Sequence, residues 1–152
     1  MGILIQKQKD ARRRYATIRD VRSNSDGFKF EGLMSPSGRQ QELLLKEAYE
    51  RAGVDPAKVS YIEAHGTGTP TGDPQEIEAI HKVFCESPAR ERPLLLGSVK
   101  SNMGHTESVA GLCSVAKAII AIQEGSIPAN LHFRKPKPEQ EHLFDGSFKV
   151  IH

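Results

Sequence analysis

The sequence has no tryptophan, only two cysteines, few aromatic residues (6%) and no long uninterrupted apolar run. Its most apolar stretch, 109–122, contains Lys117 and is too short for a membrane helix, which needs about 20 residues. Cys85 and Cys113 provide neither a disulfide framework nor a zinc-binding set. The first residues lack the apolar core of a signal peptide. We therefore expect a cytoplasmic protein with no membrane span.

The net charge is also small. Over 152 residues, 21 Lys and Arg against 19 Asp and Glu give a net charge of +2, which argues against nucleic acid as a partner. The excess is local, because residues 1–25 carry seven basic and two acidic side chains. Hydrophobic residues make up 38% and charged residues 26%, as in an ordinary globular domain. The length favours one domain.

The first half of the chain predicts lead-in strands followed by a helix. Residues 3–7 and 15–21 alternate in polarity, which predicts two short strands around a basic turn and makes 1–25 a basic lead-in segment. Ser37 followed by Gln40 is a capping-box pattern, and Gly53 stands where a left-handed helix end is expected. We therefore predict a helix between them.

Two strand–loop–helix units follow. The first has a strand over 59–64, a loop over 65–72, and a helix with Asp73 as N-cap, Pro74 in the first turn and Glu76 completing a capping box. The second has a strand over 94–99, a loop over 100–105 and a helix over about 107–124. That helix is apolar on nearly every face, which predicts burial. Two such units predict a layered α/β fold.

The two loops carry the candidate chemistry. His65 lies in the first loop, and Lys100 and His105 lie in the second. In open α/β sheets, ligands bind at the carboxyl ends of strands, where both loops lie. A phosphate-binding turn is an alternative for the first loop. However, its glycine spacing misses the dinucleotide fingerprint, and Pro70 removes a backbone donor.

A metal site is a second alternative. Histidines stand at positions 65, 81, 105, 132, 142 and 152, but none shows a paired helical spacing and no cysteine cluster supports them. The spacing therefore predicts no metal site.

Four motifs resemble one enzyme family. They are Tyr61-Ile-Glu-Ala-His65-Gly-Thr-Gly-Thr69, Gly72-Asp73-Pro74, Lys100-Ser-Asn-Met-Gly-His105 and Pro128-Ala-Asn130-Leu-His-Phe133. In this order they resemble the C-terminal half of the β-ketoacyl synthase (ketosynthase) domain, as in animal type I fatty acid synthases and the related polyketide synthases. The likeness extends from about Ile3 to Phe133.

The resemblance implies one half of a thiolase-like layered fold and a Cys–His–His active site. It implies that His65 and His105 are the catalytic histidines and that Lys100 supports them. Thr67 and Thr69 are then expected to bind the phosphopantetheine arm of an acyl carrier protein. No directly bound cofactor is implied. The implied partners are the carrier protein, the N-terminal half of the ketosynthase and, in the parent enzyme, a second copy.

The family's nucleophilic cysteine motif does not occur in this sequence. We expect Cys85 and Cys113 to be structural, and 134–152 to be a truncated strand region with a strand over 148–152. We expect the chain to be part of an enzyme that catalyses the decarboxylative Claisen condensation of malonyl thioester with an acyl group in fatty acid biosynthesis. We do not expect the chain to be fully active in isolation. The alternative is a non-catalytic remnant that binds acyl carrier protein or an intact synthase.

Overall fold

The computed structural model describes residues 2–30, 32, 35–86, 90–138, 140–143 and 145–152. Its regular elements, in chain order, are helix α1 (Gly38–Ala52), strand β1 (Tyr61–Glu63), helix α2 (Gly72–Phe84), strand β2 (Leu94–Gly97), helix α3 (Lys100–Met103), helix α4 (Ala110–Glu124) and strand β3 (Phe148–Val150). Short 3₁₀ turns lie at Gln8–Asp10, Pro56–Lys58, Glu107–Val109 and Glu141–Leu143.

The described strands form a parallel sheet in the order β1-β2-β3. Tyr61 pairs with Leu95, and Leu94 pairs with Phe148, so β2 lies in the middle. All three strands are shorter than the sequence predicted. All three run the same way, and their carboxyl ends therefore meet at one edge of the sheet. The loop that contains His65 leaves from that edge, and so does the segment that leads into α3. The predicted loop over 100–105 is therefore wrong in part, because Lys100–Met103 is helical.

The core lies between this sheet and α2. Leu94 and Phe84 are almost fully buried, and α1 covers α2 on its other side. Tyr49 of α1 meets Phe84 edge-to-face, with ring centroids 4.8 Å apart. The remaining buried core residues are Ala64, Ile77, Ile80, Val83, Leu96 and Phe148.

The helix ends follow local rules. Ser37 accepts a hydrogen bond from the backbone N–H of Gln40 at 3.3 Å, which confirms the predicted start of α1. Gly53 ends that helix at φ 62°, and Gly125 ends α4 at φ 63°, both in the left-handed conformation that glycine adopts without strain.

The predicted lead-in strands are wrong. Residues 2–30 contain no strand; apart from the turn Gln8–Asp10 the segment is irregular, and Leu4 and Phe30 are among its exposed apolar side chains. Side chains tether it to the helices instead: Gln123 Nε2 donates to the Tyr15 carbonyl at 2.6 Å. Alternating polarity is not sufficient, because a strand also needs the backbone of a neighbour.

Helix α4 is buried on one face only, which corrects the prediction of a buried helix. Its buried side chains are small or charged: Ala110, Cys113, Lys117 and Ala121. Its large apolar side chains are exposed, Ile120 by 60% and Ile122 by 63%. The three described strands are too few to cover them. Among the described helices, none is long and apolar enough to cross a bilayer.

Candidate active site

The two histidines of the strand-end loops lie together. His65 follows β1, and His105 follows α3 after Gly104, which has φ 80°. Their imidazole centroids are 5.2 Å apart and the ring planes are nearly perpendicular, at 87°. Both residues are exposed. The topology therefore brings together two imidazoles from separate strand–loop–helix units at an accessible surface.

Two carboxylates of α2 hold the His65 loop. Glu76 accepts hydrogen bonds from the backbone N–H groups of His65 at 2.6 Å and Gly66 at 2.8 Å. Asp73 accepts one from Gly68 at 3.0 Å. The prediction that Asp73 and Glu76 cap α2 is therefore wrong: the helix begins at Gly72, and both carboxylates face the preceding loop. The His65 loop lies over the first turn of α2, and its backbone N–H groups, rather than those of the helix, donate to the two carboxylates.

This arrangement also argues against phosphate binding in the His65 loop. A phosphate cradle needs free backbone N–H groups. Here three of them already meet carboxylate oxygens, and a phosphate would meet two negative charges, Asp73 and Glu76.

Ser98 and Asn130 hold the second loop in place. Ser98 Oγ donates to the His65 carbonyl at 3.2 Å, which joins the two loops directly. The side-chain oxygen of Asn130 accepts from the Ser98 N–H at 2.9 Å and from the Ser101 hydroxyl at 3.1 Å. Asn130 is buried, so it is a firm anchor for the segment that carries Lys100.

Contacts and charges indicate the protonation of both rings. Nδ1 of His105 accepts from the backbone N–H of Glu107 at 3.0 Å, which places the proton of the neutral ring on Nε2. Partial burial lowers the pKa of His65 below its ordinary value, and the positive charge of Lys100 lowers it further. His65 is therefore neutral at pH 7, and each ring has one N–H to donate.

The two threonines of the His65 loop lie side by side. Their hydroxyl oxygens are 3.4 Å apart, and that of Thr69 also accepts from the Gly72 N–H at 3.1 Å. Thr69 thus stabilises the turn into α2, whereas Thr67 makes no other described hydrogen bond from its hydroxyl. Thr67 is the freer donor toward a ligand.

A buried carboxylate lies beneath the histidines. Glu63, at the end of β1, accepts hydrogen bonds from the Tyr61 hydroxyl and from the backbone N–H of Val99. It also forms an ion pair with Lys117 of α4, with Nζ and Oε2 2.9 Å apart and both side chains less than 10% exposed. Burial, followed by the Glu63 charge, raises the pKa of Tyr61 and keeps its hydroxyl a donor. Glu63 therefore joins β1, the start of α3, and α4.

Gly97 provides the space for this cluster. A Cβ at this position would lie 2.6 Å from the Tyr61 hydroxyl and 3.3 Å from Lys117 Nζ. Only glycine leaves room for the phenol and the ammonium beside the end of β2.

The cysteines occupy structural positions. Cys85 follows α2, its Sγ is 3.8 Å from the Ser147 carbonyl, and burial raises its pKa to about 11. Cys113 is buried on α4, 3.5 Å from the Thr106 hydroxyl. Neither thiol hydrogen-bonds to His65 or His105 within the described part of the chain. Both positions agree with the expectation that these cysteines are structural.

The parallel sheet with its strand-end loops and flanking helices is one part of a thiolase-like layered α/β fold. Residues 15–134 match the family model described as "Beta-ketoacyl synthase, C-terminal domain". The chain therefore belongs to the β-ketoacyl synthase family, where it corresponds to the C-terminal domain. This confirms the resemblance and the fold class that it implied.

Similar proteins include large synthases from fungi and a slime mould. The chain is 48% identical over 124 residues to a hybrid PKS-NRPS synthetase of Aspergillus violaceofuscus, which covers 82% of the chain and 3% of that protein. It is 44% identical over 147 residues to a highly reducing polyketide synthase of Aspergillus luteorubrus (97% and 4%), and 44% identical over 143 residues to the probable polyketide synthase 17 of Dictyostelium discoideum (90% and 6%).

Two solved ketosynthases show the same fold. The oxazolomycin ketosynthase domain from Streptomyces albus superposes with a TM-score of 0.87 at 35% identity, covering 95% of this chain and 25% of that one. The ketosynthase from module 1 of the bacillaene synthase of Bacillus amyloliquefaciens gives 0.84 at 32% identity, covering 90% and 24%. The chain thus spans about a quarter of each ketosynthase and a few per cent of the synthases.

Sequence reasoning missed three supports of the site: Glu63, the loop-holding role of Glu76, and Asn130. Glu63 and Asn130 lie within two of the four family motifs. The signal that could have identified them is a polar residue placed beside an apolar strand, where it is expected to be buried. Val99 is 36 positions from Glu63 and Ser98 is 32 positions from Asn130, beyond the reach of local patterns.

We predict that Lys117→Met destabilises the chain by about 3–5 kcal/mol, because it leaves the Glu63 carboxylate buried without its counter-charge. The control is Lys46→Met, which breaks the exposed Lys46–Glu42 pair on α1 and is expected to cost about 0.5 kcal/mol. Urea unfolding followed by circular dichroism measures both. Equal costs for the two variants would refute the role of the buried pair.

Proposed function

We propose that this chain is the histidine-bearing part of a ketosynthase that catalyses decarboxylative condensation. In this reaction malonyl thioester loses CO₂, and the enolate carbon that results attacks the carbonyl carbon of an acyl thioester. A new C–C bond forms as the acyl C–S bond breaks. The observation that carries the proposal is the approach of two imidazoles, 5.2 Å apart, at the carboxyl edge of a parallel sheet.

The paired N–H donors suit the decarboxylation step. As CO₂ leaves, negative charge develops on the thioester oxygen, and fixed donors that face this oxygen stabilise the transition state. Nε2–H of His105 and one N–H of His65 would supply two such donors. The loops that carry them are fixed by Glu76, Ser98 and Asn130, so little reorganisation is needed during the reaction.

Lys100 and Thr67 complete the proposed site. The Lys100 charge favours the neutral form of His65, as its effect on the pKa of that ring indicates. Thr67, with Thr69 beside it, would donate to the amide groups of a phosphopantetheine arm delivered by an acyl carrier protein. No directly bound cofactor is part of this proposal.

A polyketide rather than a fatty acid is the proposed product class. The similar proteins reported above are named as polyketide synthases or hybrid synthetases, which supports this choice at 44–48% identity. A cytoplasmic location and a homodimeric parent enzyme stay predictions.

The proposed partner is the N-terminal half of the ketosynthase, which would supply the nucleophilic cysteine. The exposed apolar face of α4 supports this, since contiguous apolar surface commonly marks an interface. The chain's match to only about a quarter of each solved ketosynthase also supports it. The side chains of this face are Val109, Leu112, Val115, Ile120 and Ile122.

The test of the function measures CO₂ release from malonyl-carrier protein by the chain. We expect His65→Gln and His105→Gln each to lower the rate about 10²–10³-fold, because each removes one donor to the developing oxyanion. Since the pKa of His65 is lowered, the wild-type rate is expected to hold from pH 8 down to about 6.5 and to fall below that, as the ring becomes charged.

The control is His152→Gln, which removes an exposed imidazole outside the site and is expected to leave the rate unchanged. Absence of CO₂ release by the wild-type chain, together with measurable binding of the carrier protein, would favour the non-catalytic remnant. Equal rates for wild type and His65→Gln would contradict the proposed role of the histidines.

For the pantetheine arm, we predict that Thr67→Val raises KM for malonyl-carrier protein about three- to tenfold with kcat little changed, as expected for one lost hydrogen bond. Thr71→Val is the matched control, since Thr71 is exposed and its side chain makes no capping hydrogen bond. Initial-rate kinetics separate KM from kcat. A change in kcat alone would argue against arm binding by Thr67.

For the partner, we predict that Ile120→Asp abolishes co-purification of the chain with a co-expressed N-terminal ketosynthase half, because the new charge would be buried in the interface. Leu43→Asp is the control: Leu43 is similarly exposed (47%) but lies on α1. Loss of the complex in both variants, or in neither, would count against the α4 face.

A further inference from the structure

A second histidine pair lies outside the candidate active site. His81 on α2 and His142 in the turn Glu141–Leu143 stack with ring centroids 3.7 Å apart and planes 7° from parallel. Asp145 lies beside both, with its Oδ2 3.2 Å from His142 Nδ1 and 3.9 Å from His81 Nε2. One ligand atom from each of the three residues lies within 4.8 Å of the others.

We propose that His81, His142 and Asp145 form a binding site for a divalent transition metal ion of the zinc type. Two imidazole nitrogens and one carboxylate oxygen are the donors that Zn²⁺ accepts, whereas Ca²⁺ and Mg²⁺ prefer oxygen alone. Three protein ligands leave the fourth position to water. The ion would join α2 to the segment that leads into β3.

A neighbouring side chain selects the ligating nitrogen of His142. Glu78 Oε2 is 2.7 Å from His142 Nε2, so that nitrogen donates to a carboxylate and leaves Nδ1 facing Asp145. Such a carboxylate behind a ligating histidine is typical of zinc sites. The other oxygen of Glu78 pairs with Lys82 at 3.0 Å.

Asp145 is oriented in the same way. Its Oδ1 accepts from the backbone N–H of Ser147 at 2.7 Å, which leaves Oδ2 toward the two imidazoles. With neutral rings, the Asp145 carboxylate faces the two imidazoles as an anion, while Glu78 is paired with Lys82, and a divalent cation would take the place of the proton between His142 and Asp145. Side-chain exposures of 16% for His81, 19% for His142 and 44% for Asp145 leave an approach for the ion.

Binding requires a local adjustment. Zinc bonds of about 2.0–2.1 Å place tetrahedral ligand atoms about 3.3 Å apart, so donor atoms that lie within 4.8 Å of one another must approach by up to about 1.5 Å. The stacked rings must also turn apart until both lone pairs converge on the ion. Binding releases the proton that His142 Nδ1 shares with Asp145.

The test is a titration of the chelator-treated 152-residue chain with Zn²⁺ alone, followed by isothermal calorimetry at pH 7.5. We expect one ion per chain, with affinity lowered more than tenfold in His81→Gln and in His142→Gln. Glu78→Gln, which weakens only the support of His142, is expected to lower the affinity about tenfold. Far-UV circular dichroism of each variant shows that the loss is not due to unfolding.

Two controls separate this site from others. His152→Gln and His65→Gln are expected to bind Zn²⁺ as the wild type does, because each removes an imidazole outside the cluster. Binding that is lost in His65→Gln but kept in His142→Gln would place the ion at the strand-end histidines and overturn the proposal. Equal affinity in the wild type and the His81→Gln/His142→Gln double variant would also overturn it.

Discussion

The buried carboxylate of Glu63 is the contact on which the rest of the site depends. It ends β1 just before His65, accepts the N–H of Val99 just before Lys100, and pairs with Lys117 on the helix that follows His105. One anion thus links the strand before His65, the residue before Lys100 and the helix after His105. Burying it is costly unless its charge is balanced and its oxygens are bonded, and Lys117, Tyr61 and Val99 meet both needs.

The loops above Glu63 are stabilised by a second level of polar contacts. Glu76 and Asp73 hold the backbone of the His65 loop, while Asn130 holds the backbone before Lys100. These groups act on main-chain atoms, so the imidazoles themselves stay free of strong partners and open to a ligand. A rigid backbone with accessible side chains is what a preorganised oxyanion site requires.

Much of this architecture could be predicted from local sequence. Ser37, Gly53 and Gly125 mark helix ends through interactions with their immediate neighbours, and the apolar strands led directly to the two histidine loops. The predictions that failed depend on contacts outside the local segment. The predicted lead-in strands lack a pairing partner in the described structure. Asp73 and Glu76 match a helix-capping pattern, but their carboxylates accept hydrogen bonds from the preceding loop instead. The pairing of His81 with His142 likewise depends on tertiary packing.

The space left by Gly97 has a consequence for variation in this fold. Because the phenol of Tyr61 and the ammonium of Lys117 fill the volume where a side chain would begin, a larger residue at position 97 would displace one of them. A relative with a larger residue there is expected to carry a different residue at 61 or 117. Substitutions at these three positions are then expected to be correlated among homologues.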